Sequence, residues 1–164
     1  MTTDAELASL AKALGDRLRA KRLKLAVAES CTGGWIAKSV TDVAGSSQWF
    51  DRGFVVYSNR AKTDLLGVAA QTLLQFGAVS EQVAIEMAQG ALAHSHADLA
   101  LAVTGIAGPD GGTPEKPVGL VWLATRRRGG AVVVSEHRFA GDRDAVRRQA
   151  VGCALQRLIE EASN

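Results

Sequence analysis

Two short apolar runs constrain the fold of this 164-residue chain more than any other feature. Residues 23–28 (LKLAVA) and 98–103 (DLALAV) lack the regular polar–apolar alternation of a strand with one face in water. Short, mainly apolar runs of this kind are typical of strands that are buried on both faces. Such strands need helices above and below them, so the sequence predicts a layered α/β protein.

The segments between these runs carry helix signals. Leucines recur at helical spacing near the N-terminus, and Ser80 and Asp142 are suitable N-terminal caps for two later helices. Asn59 is expected to cap a short helix that ends at Gly67. Helices are therefore predicted over residues 4–21, 35–40, 59–67 and 81–94 and from residue 142 to the end of the apolar pattern near residue 158, with a loop at 41–48.

Further strands are predicted at residues 53–57, 118–125 and 131–139, and the last two form a hairpin around the RRRGG turn at 126–130. The order is helix, strand, helix, strand, two or three helices, three strands and a helix. Strands separated by helices pair in parallel, whereas a hairpin is antiparallel. We therefore expect one domain over residues 1–164, a three-layer α/β/α sandwich with a mixed, mainly parallel central sheet.

Composition excludes several functional classes. The net charge of +2 is too small to indicate nucleic-acid binding, and the chain has only two cysteines, Cys31 and Cys153, without metal or redox spacing. The polar N-terminus does not resemble a signal peptide, and no run is long enough to span a bilayer. We expect a cytoplasmic protein with no membrane or nucleic-acid partner, which forms a homo-oligomer, by base rate an isologous dimer.

Polar residues lie at the ends of three predicted strands. Ser30 follows the first apolar run, Tyr57 closes the second strand and Thr104 follows the third. Carboxyl ends of neighbouring strands are where α/β sheets bind ligands. The N–H groups of residues 31–34, at the predicted start of a helix, are suited to hold an oxyanion or a phosphate beside an attacking Ser30. The alternative is that Ser30 or Thr32 only caps the helix.

A serine nucleophile needs a base, and lysine is the better candidate. His94, His96 and His137 are poorly placed, and a zinc site at the first two lacks a third ligand. Lys62 lies five positions after Tyr57 and can face the same cleft. A lysine accepts a proton only when neutral, so its pKa must lie well below the usual value of about 10.4. The alternative is a surface lysine beside a core tyrosine.

The turn-rich segment 104–117 is long enough to suggest a function. Its glycines allow a ligand to approach the backbone closely, Thr104 offers a hydroxyl, and Glu115 and Lys116 are expected to close over a substrate. Arg143, at the start of the last helix, could bind a phosphate. Most arginines of the last third are expected to be solvated surface residues.

Four segments in this order resemble the CinA C-terminal domain family, the nicotinamide-nucleotide amidohydrolases (nicotinamide mononucleotide deamidases). They are AESCTGG (28–34), YSN with Lys62 (57–62), TGIAGP running to KPVG (104–119) and GDR (141–143). The resemblance covers about residues 6–158. It implies an α/β/α fold and hydrolysis of nicotinamide mononucleotide to nicotinate mononucleotide and ammonia, which returns pyridine nucleotide to NAD synthesis.

The resemblance also implies roles for individual residues, with no cofactor and no metal. Ser30 would be the nucleophile, with Lys62 and Tyr57 assisting, and a small-molecule nucleotide would be the substrate. Whether Arg143 or Arg147 binds its phosphate stays open. The expected substrate-binding residues are Cys31, Thr32, Gly33, Gly34, Asn59, Thr104, Gly105, Gly108 and Arg143. Many members carry a large upstream nucleotide-pyrophosphatase-like domain; this chain resembles the stand-alone form, so that second activity should be missing.

Two other functions remain in competition. Cys31 could be the nucleophile, although no histidine partner is evident. The chain could also be a non-catalytic nucleotide-binding accessory module linked to DNA damage or competence. Binding of the mononucleotide without turnover would favour that second possibility.

Overall fold

The computed structural model describes residues 2–164 and contains one five-stranded sheet with helices on both faces. The strands are β1 (Leu25–Glu29), β2 (Phe50–Val55), β3 (Leu99–Gly105), β4 (Leu120–Arg127) and β5 (Val132–Arg138). The helices are α1 (Asp4–Lys21), α2 (Trp35–Thr41), α3 (Asn59–Leu66), α4 (Ala70–Phe76), α5 (Glu81–Ala93) and α6 (Arg143–Ser163), with a 3₁₀ turn at Ser46–Gln48.

The strand order is β2-β1-β3-β4-β5. β1 pairs in parallel with β2 and β3, and β4 runs antiparallel to both of its neighbours. Only β4 therefore opposes the direction of the other strands. The predicted mixed, mainly parallel sheet is confirmed, and β3 occupies its centre.

The side chains of the central strands point alternately toward two layers of helices, one on each face of the sheet. Leu25 and Val27 of β1 face the core formed with α1, α2 and α6. Ala26 and Ala28 face the opposite core, to which α3 and α5 contribute. β3 repeats the pattern, with leucines on the first face and alanines on the second. The three-layer α/β/α arrangement follows from this alternation.

Local capping chemistry determines where several helices begin. Thr3 and Glu6 form a reciprocal capping box at α1. Ser80 and Asp142 cap α5 and α6, as predicted. The predicted cap of α3 is wrong by one residue, because Ser58 accepts the Ala61 N–H and Asn59 is the first helical residue.

The largest differences from the sequence-based prediction lie at the sheet edge. β2 covers Phe50–Val55 rather than residues 53–57, so Tyr57 lies two residues beyond the strand. As an edge strand with no fully buried residue, β2 shows little of the pattern on which such a prediction depends. The predicted loop at 41–48 contains the 3₁₀ turn at Ser46–Gln48. The optional third helix is α4, none of whose residues is buried.

The structure also bears on membrane association. Among residues 2–164, no helix combines the length and the apolar composition that are needed to cross a bilayer.

Candidate active site

The sheet alternation sends Glu29 and Ser30 to opposite sides. Glu29, the last residue of β1, bonds to α2, whereas the Ser30 hydroxyl meets Lys62 of α3. The Ser30 N–H donates to the Val103 carbonyl at 3.1 Å, which ties the residue to β3. Ser30 therefore stands at the carboxyl edge of the central parallel strands, where this fold class binds ligands.

Lys62 is a buried lysine in hydrogen-bond contact with Ser30. It is 1% exposed, and its Nζ lies 3.2 Å from Ser30 Oγ. The same Nζ lies 3.0 Å from the Val56 carbonyl and 3.1 Å from the Tyr57 carbonyl. Burial lowers the pKa of Lys62, against a smaller raising effect of Cys31. The alternative of a surface lysine is wrong.

The two carbonyls give the neutral amine a defined orientation. A neutral lysine has two N–H bonds and one lone pair. If the N–H bonds point to Val56 and Tyr57, the lone pair faces the Ser30 hydroxyl. This arrangement can take the serine proton as the hydroxyl attacks.

The turn after Ser30 is closed by its own backbone. Gly33 and Gly34 have φ values of 61° and 98°, which glycine adopts without strain. The Gly33 N–H donates to the Ser30 carbonyl at 3.0 Å, so it is not available to a ligand as expected. Within the described chain, the N–H groups of Cys31, Thr32 and Gly34 have no acceptor. Those of Cys31 and Thr32 lie nearest in sequence to Ser30 and are the candidates for binding an oxyanion, which would have to reach the fully buried Thr32.

Neither Ser30 nor Thr32 caps α2, so that alternative is wrong for both. The N-cap position is Gly34, which has no side chain. The Glu29 carboxylate instead accepts the N–H groups of Ile36 at 2.8 Å and Ala37 at 2.9 Å, and the Thr32 hydroxyl at 2.7 Å. Glu29 was not predicted from the sequence; the signal that could have identified it is a charged residue at the end of a buried strand.

A cavity of about 190 Å³ opens beside Ser30 and Lys62. It brings together seven of the twelve residues that the sequence predicts for catalysis and substrate binding. These are Ser30, Cys31, Tyr57, Lys62, Thr104, Gly105 and Arg143, and the other lining residues are Ala78, Val79 and Ala107.

Thr104 is the second-to-last residue of β3 rather than the start of the loop that follows it. It is 1% exposed, and its Oγ1 donates to the Ala78 carbonyl at 2.9 Å. Its hydroxyl oxygen can therefore accept a hydrogen bond from a ligand in the cavity. A side chain at Gly105 would collide with β4, since a Cβ there would lie 2.7 Å from Val121 Cγ2.

Tyr57 and Arg143 meet at the mouth of the cavity. Arg143 Nη2 donates to Tyr57 Oη at 3.0 Å, and its Nη1 donates to the Gly108 carbonyl at 2.7 Å. Tyr57 is 61% exposed, so it is not a core tyrosine. Its phenol forms no hydrogen bond with Ser30 or Lys62; its carbonyl accepts one from Lys62.

Arg147, one turn after Arg143, faces a different environment. Its Nε donates to the Cys31 carbonyl at 3.0 Å and its Nη2 to the Thr32 carbonyl at 3.1 Å. Its guanidinium also lies over the Trp35 ring, 5.4 Å from the centroid. Arg143 is thus the arginine that lines the cavity, and Arg147 bonds to the backbone of the Ser30 turn.

Several expected ligand contacts lie away from the cavity lining. Asn59 lies on the separate surface between α3 and α4. Lys116 bonds to the Phe76 carbonyl and, with Glu115, lines a neighbouring cleft rather than covering Ser30. Four further predicted contacts, Thr32, Gly33, Gly34 and Gly108, do not line the cavity. Thr32 bonds to Glu29, Gly33 to the Ser30 carbonyl and Gly108 to Arg143.

The histidines stand apart from the Ser30 cavity. His94 Nδ1 bonds to the Gly90 carbonyl, and His137 contacts Ser135 and Cys153. Among residues 2–164, no three His, Cys, Asp or Glu side chains form a potential metal-binding group.

Cys31 is poorly suited to be the nucleophile. It is 6% exposed, and burial raises the pKa of its thiol to about 12. A nucleophilic cysteine requires the thiolate, which this environment disfavours at neutral pH.

Comparison with known proteins gives a consistent assignment. The model of the CinA C-terminal domain matches residues 7–162. The chain is 55% identical over 159 residues to the nicotinamide-nucleotide amidohydrolase PncC of Escherichia coli K12, covering 97% of this chain and 96% of that protein. The protein of the same name from Pseudomonas putida is 52% identical over 155 residues, with coverage of 94% and 96%. These names denote the class of hydrolase that the sequence predicts.

Solved structures agree with the fold. The competence/damage inducible protein CihA from Agrobacterium tumefaciens superposes with a TM-score of 0.94 at 49% identity, covering 97% of this chain and 96% of that one. A CinA superfamily protein from Escherichia coli gives a TM-score of 0.92 at 38% identity, covering 98% and 94%. The family match, the relatives and the fold confirm the resemblance carried by the four sequence segments: this chain belongs to the CinA C-terminal domain family.

Proposed function

We propose that this protein hydrolyses the carboxamide of nicotinamide mononucleotide, releasing nicotinate mononucleotide and ammonia. The observation that carries the proposal is the buried contact of 3.2 Å between Lys62 Nζ and Ser30 Oγ. The names of relatives that match over nearly their full length support the choice of substrate. Since the product is a precursor of NAD, we place the reaction in pyridine-nucleotide salvage in the cytoplasm.

The first half of the reaction forms an acyl-enzyme. Ser30 Oγ attacks the carboxamide carbon while neutral Lys62 takes the hydroxyl proton. The N–H groups of Cys31 and Thr32 stabilise the negative oxygen of the tetrahedral intermediate. Lys62 then passes its proton to the amide nitrogen, the C–N bond breaks, and ammonia leaves.

The second half regenerates the enzyme. Water attacks the ester carbon of the acyl-enzyme, and Lys62 accepts a proton from that water. The C–O bond to Ser30 breaks, and Lys62 returns the proton to the serine oxygen. Nicotinate mononucleotide leaves, and Lys62 is again neutral.

The remaining lining residues would position the substrate. Thr104 Oγ1 already donates to Ala78, so it would accept a hydrogen bond from the carboxamide N–H. Tyr57 would contact the substrate at the cavity mouth while its carbonyl orients Lys62. Arg143, at the exposed side of the cavity, would bind the phosphate through its guanidinium.

The cavity size suits a ligand that is only partly enclosed. Its volume of about 190 Å³ is below the roughly 300–1,000 Å³ of typical small-molecule sites. The nicotinamide group would occupy it, and the ribose phosphate would extend toward Arg143. Free nicotinamide should be a poor substrate, because it lacks the remote groups whose binding energy aligns the amide.

The test is ammonia release from nicotinamide mononucleotide, its riboside, NAD and nicotinamide. We expect the mononucleotide to be preferred and the Ser30→Ala and Lys62→Gln variants to lose turnover. Ser39→Ala is the matched control, because the Ser39 hydroxyl bonds only within α2. Full activity of Ser30→Ala would overturn the mechanism, and tight binding of the mononucleotide without turnover by the wild type would favour a nucleotide-binding module.

A further inference from the structure

The turn that carries Ser30 is held by two oppositely charged side chains that the proposed reaction does not use. Glu29 lies on the α2 side of the turn and Arg147 reaches it from α6. Neither lines the cavity. Their contacts are complementary, since Glu29 accepts hydrogen bonds and Arg147 donates them.

Glu29 connects the end of β1 to the start of α2. It is fully buried, and its two oxygens together accept hydrogen bonds from the Thr32 hydroxyl and from the N–H groups of Ile36 and Ala37. The position that would normally supply a capping side chain is Gly34. Glu29 therefore supplies the missing cap from the strand, and in doing so fixes both ends of the segment that contains Ser30.

Arg147 fixes the peptide groups in the middle of the same segment. It binds the carbonyls of Cys31 and Thr32 through two different nitrogens of one planar guanidinium. In a trans peptide the N–H points away from the carbonyl. Arg147 therefore turns the Thr32 N–H, one of the two proposed oxyanion donors, away from α6.

Trp35 restrains Arg147 in turn. The guanidinium of Arg147 lies 5.4 Å from the Trp35 ring centroid, and Arg148 lies 4.9 Å from the same ring. Only Arg147 reaches the turn, because Arg148 pairs with Asp4 and Asp144. Two adjacent arginines thus share one aromatic contact and differ in whether they bind the Ser30 turn.

We infer that Glu29 and Arg147 are positioning residues that hold Ser30 against Lys62 and orient the amides that bind the oxyanion. This inference rests on the proposed function. It assigns Arg147 to the turn rather than to the phosphate of the substrate. Its kinetic signature is a loss in kcat with little change in KM, because the substrate itself is not contacted.

Arg147→Ala and Arg148→Ala form a matched pair for the test. We expect kcat for nicotinamide mononucleotide to fall roughly 100-fold in Arg147→Ala, the scale of a small misalignment of reacting groups, with KM changed less than about threefold. Added guanidine should restore part of the rate, Arg147→Lys should be intermediate, and Arg148→Ala should match the wild type. A raised KM with normal kcat, absent when the riboside is the substrate, would identify Arg147 as a phosphate ligand and overturn the inference.

Glu29→Gln tests the other side of the turn. The variant keeps the shape of the side chain but replaces one accepting oxygen by a donor that faces a backbone N–H or a hydroxyl. We expect a lower kcat with an unchanged midpoint of the pH–rate profile, because Glu29 does not exchange a proton with the substrate. A moved or missing limb of the profile would instead make Glu29 an acid or base. Glu86→Gln, which alters a carboxylate that accepts the Ala69 N–H far from the cavity, is the control.

A second measurement does not depend on the substrate. The rate at which a small sulfonyl fluoride labels Ser30, followed by mass spectrometry, should fall in Arg147→Ala and Glu29→Gln and stay unchanged in Arg148→Ala and Glu86→Gln. Equal labelling rates in all the folded variants, as judged by thermal unfolding, would overturn the inference. If wild-type Ser30 is labelled but no ammonia is released from nicotinamide mononucleotide, the proposed substrate is wrong, whereas the labelling rates of the variants still test the positioning roles of Glu29 and Arg147.

Discussion

Lys62 Nζ lies 3.2 Å from Ser30 Oγ, and the lysine side chain is buried, with only 1% of its surface exposed. Within residues 2–164, no carboxylate lies at ion-pair distance from this amine. Its other hydrogen-bond partners are two backbone carbonyls. A buried ammonium without a counter-ion is costly, so this environment favours the neutral amine that a proton acceptor must be.

The pH dependence of the reaction should report Lys62. Because burial lowers its pKa, kcat/KM should rise with pH through a midpoint below the ordinary lysine value of about 10.4, as Lys62 loses its proton. Lys62→Arg, which keeps a positive charge that cannot be released, should be inactive at every pH. A rate that is independent of pH from 5 to 10 would contradict the assignment of Lys62 as the base.

Stability should depend on pH through the same residue. A lysine with a lower pKa in the folded state than in the unfolded state leaves the unfolded chain with more bound protons between the two values. The free energy of unfolding should therefore rise with pH in that window, by at most about 1.4 kcal/mol per pH unit, and lose this contribution in Lys62→Met. Urea unfolding at several pH values measures it.

The control for this stability prediction is Lys12→Met, which removes an exposed lysine of α1. Wild type and Lys62→Met should converge in stability as the pH rises, because the cost of burying the charge disappears. If the stability advantage of Lys62→Met over the wild type grows as the pH rises, the prediction is wrong.

Arg143 should act through the phosphate of the substrate. Replacing it by alanine removes charge-assisted hydrogen bonds, which are worth about 1.5–3 kcal/mol each, so KM for the mononucleotide should rise roughly 10- to 100-fold. The riboside, which lacks the phosphate, should be affected far less. Steady-state kinetics with both substrates measures this, with Arg126→Ala of the β4–β5 hairpin as control. An equal loss for both substrates would assign Arg143 to the support of Tyr57 and Gly108 instead.

Thiol chemistry should separate Ser30 from its neighbour. With the pKa of Cys31 raised to about 12 by burial, iodoacetamide at pH 7 should leave Cys31 unmodified and activity unchanged. Cys31→Ala should keep turnover within about tenfold of the wild type, the loss reflecting looser packing beside Ser30. Peptide mass spectrometry locates any alkylation, and inactivation that tracks modification of Cys31 would restore the thiol as nucleophile.

The fold was predictable because the elements at its centre carry clear local sequence signals. β1 and β3 are apolar runs, and Ser80 and Asp142 provide cap signals that tertiary contacts did not override. Prediction failed where burial is weak. β2 lies at the sheet edge and α4 buries no residue, so neither leaves a clear hydrophobic period.

The residues of the site likewise differ in whether the sequence around them signals their role. Ser30 and Thr104 could be placed together because parallel strand ends share one edge of a sheet, and Lys62 because it lies about one helical turn beyond Tyr57. Glu29 and Arg147 act through backbone atoms, and backbone hydrogen bonds leave no residue pattern at their partners. Arg147 is moreover one of several arginines in the last third of the chain, and nothing local distinguishes it from Arg148.

The acceptors around the Lys62 amine belong to the main chain, at residues 56 and 57. Substitution of either side chain leaves those oxygens in place, so the hydrogen bonds that orient the amine depend on the path of the backbone. Relatives can therefore diverge at these positions without reorienting the base. An engineer who wishes to move the working pH has to change how far water penetrates to Lys62, for example by altering the cavity walls that Ala78 and Val79 supply just before α5.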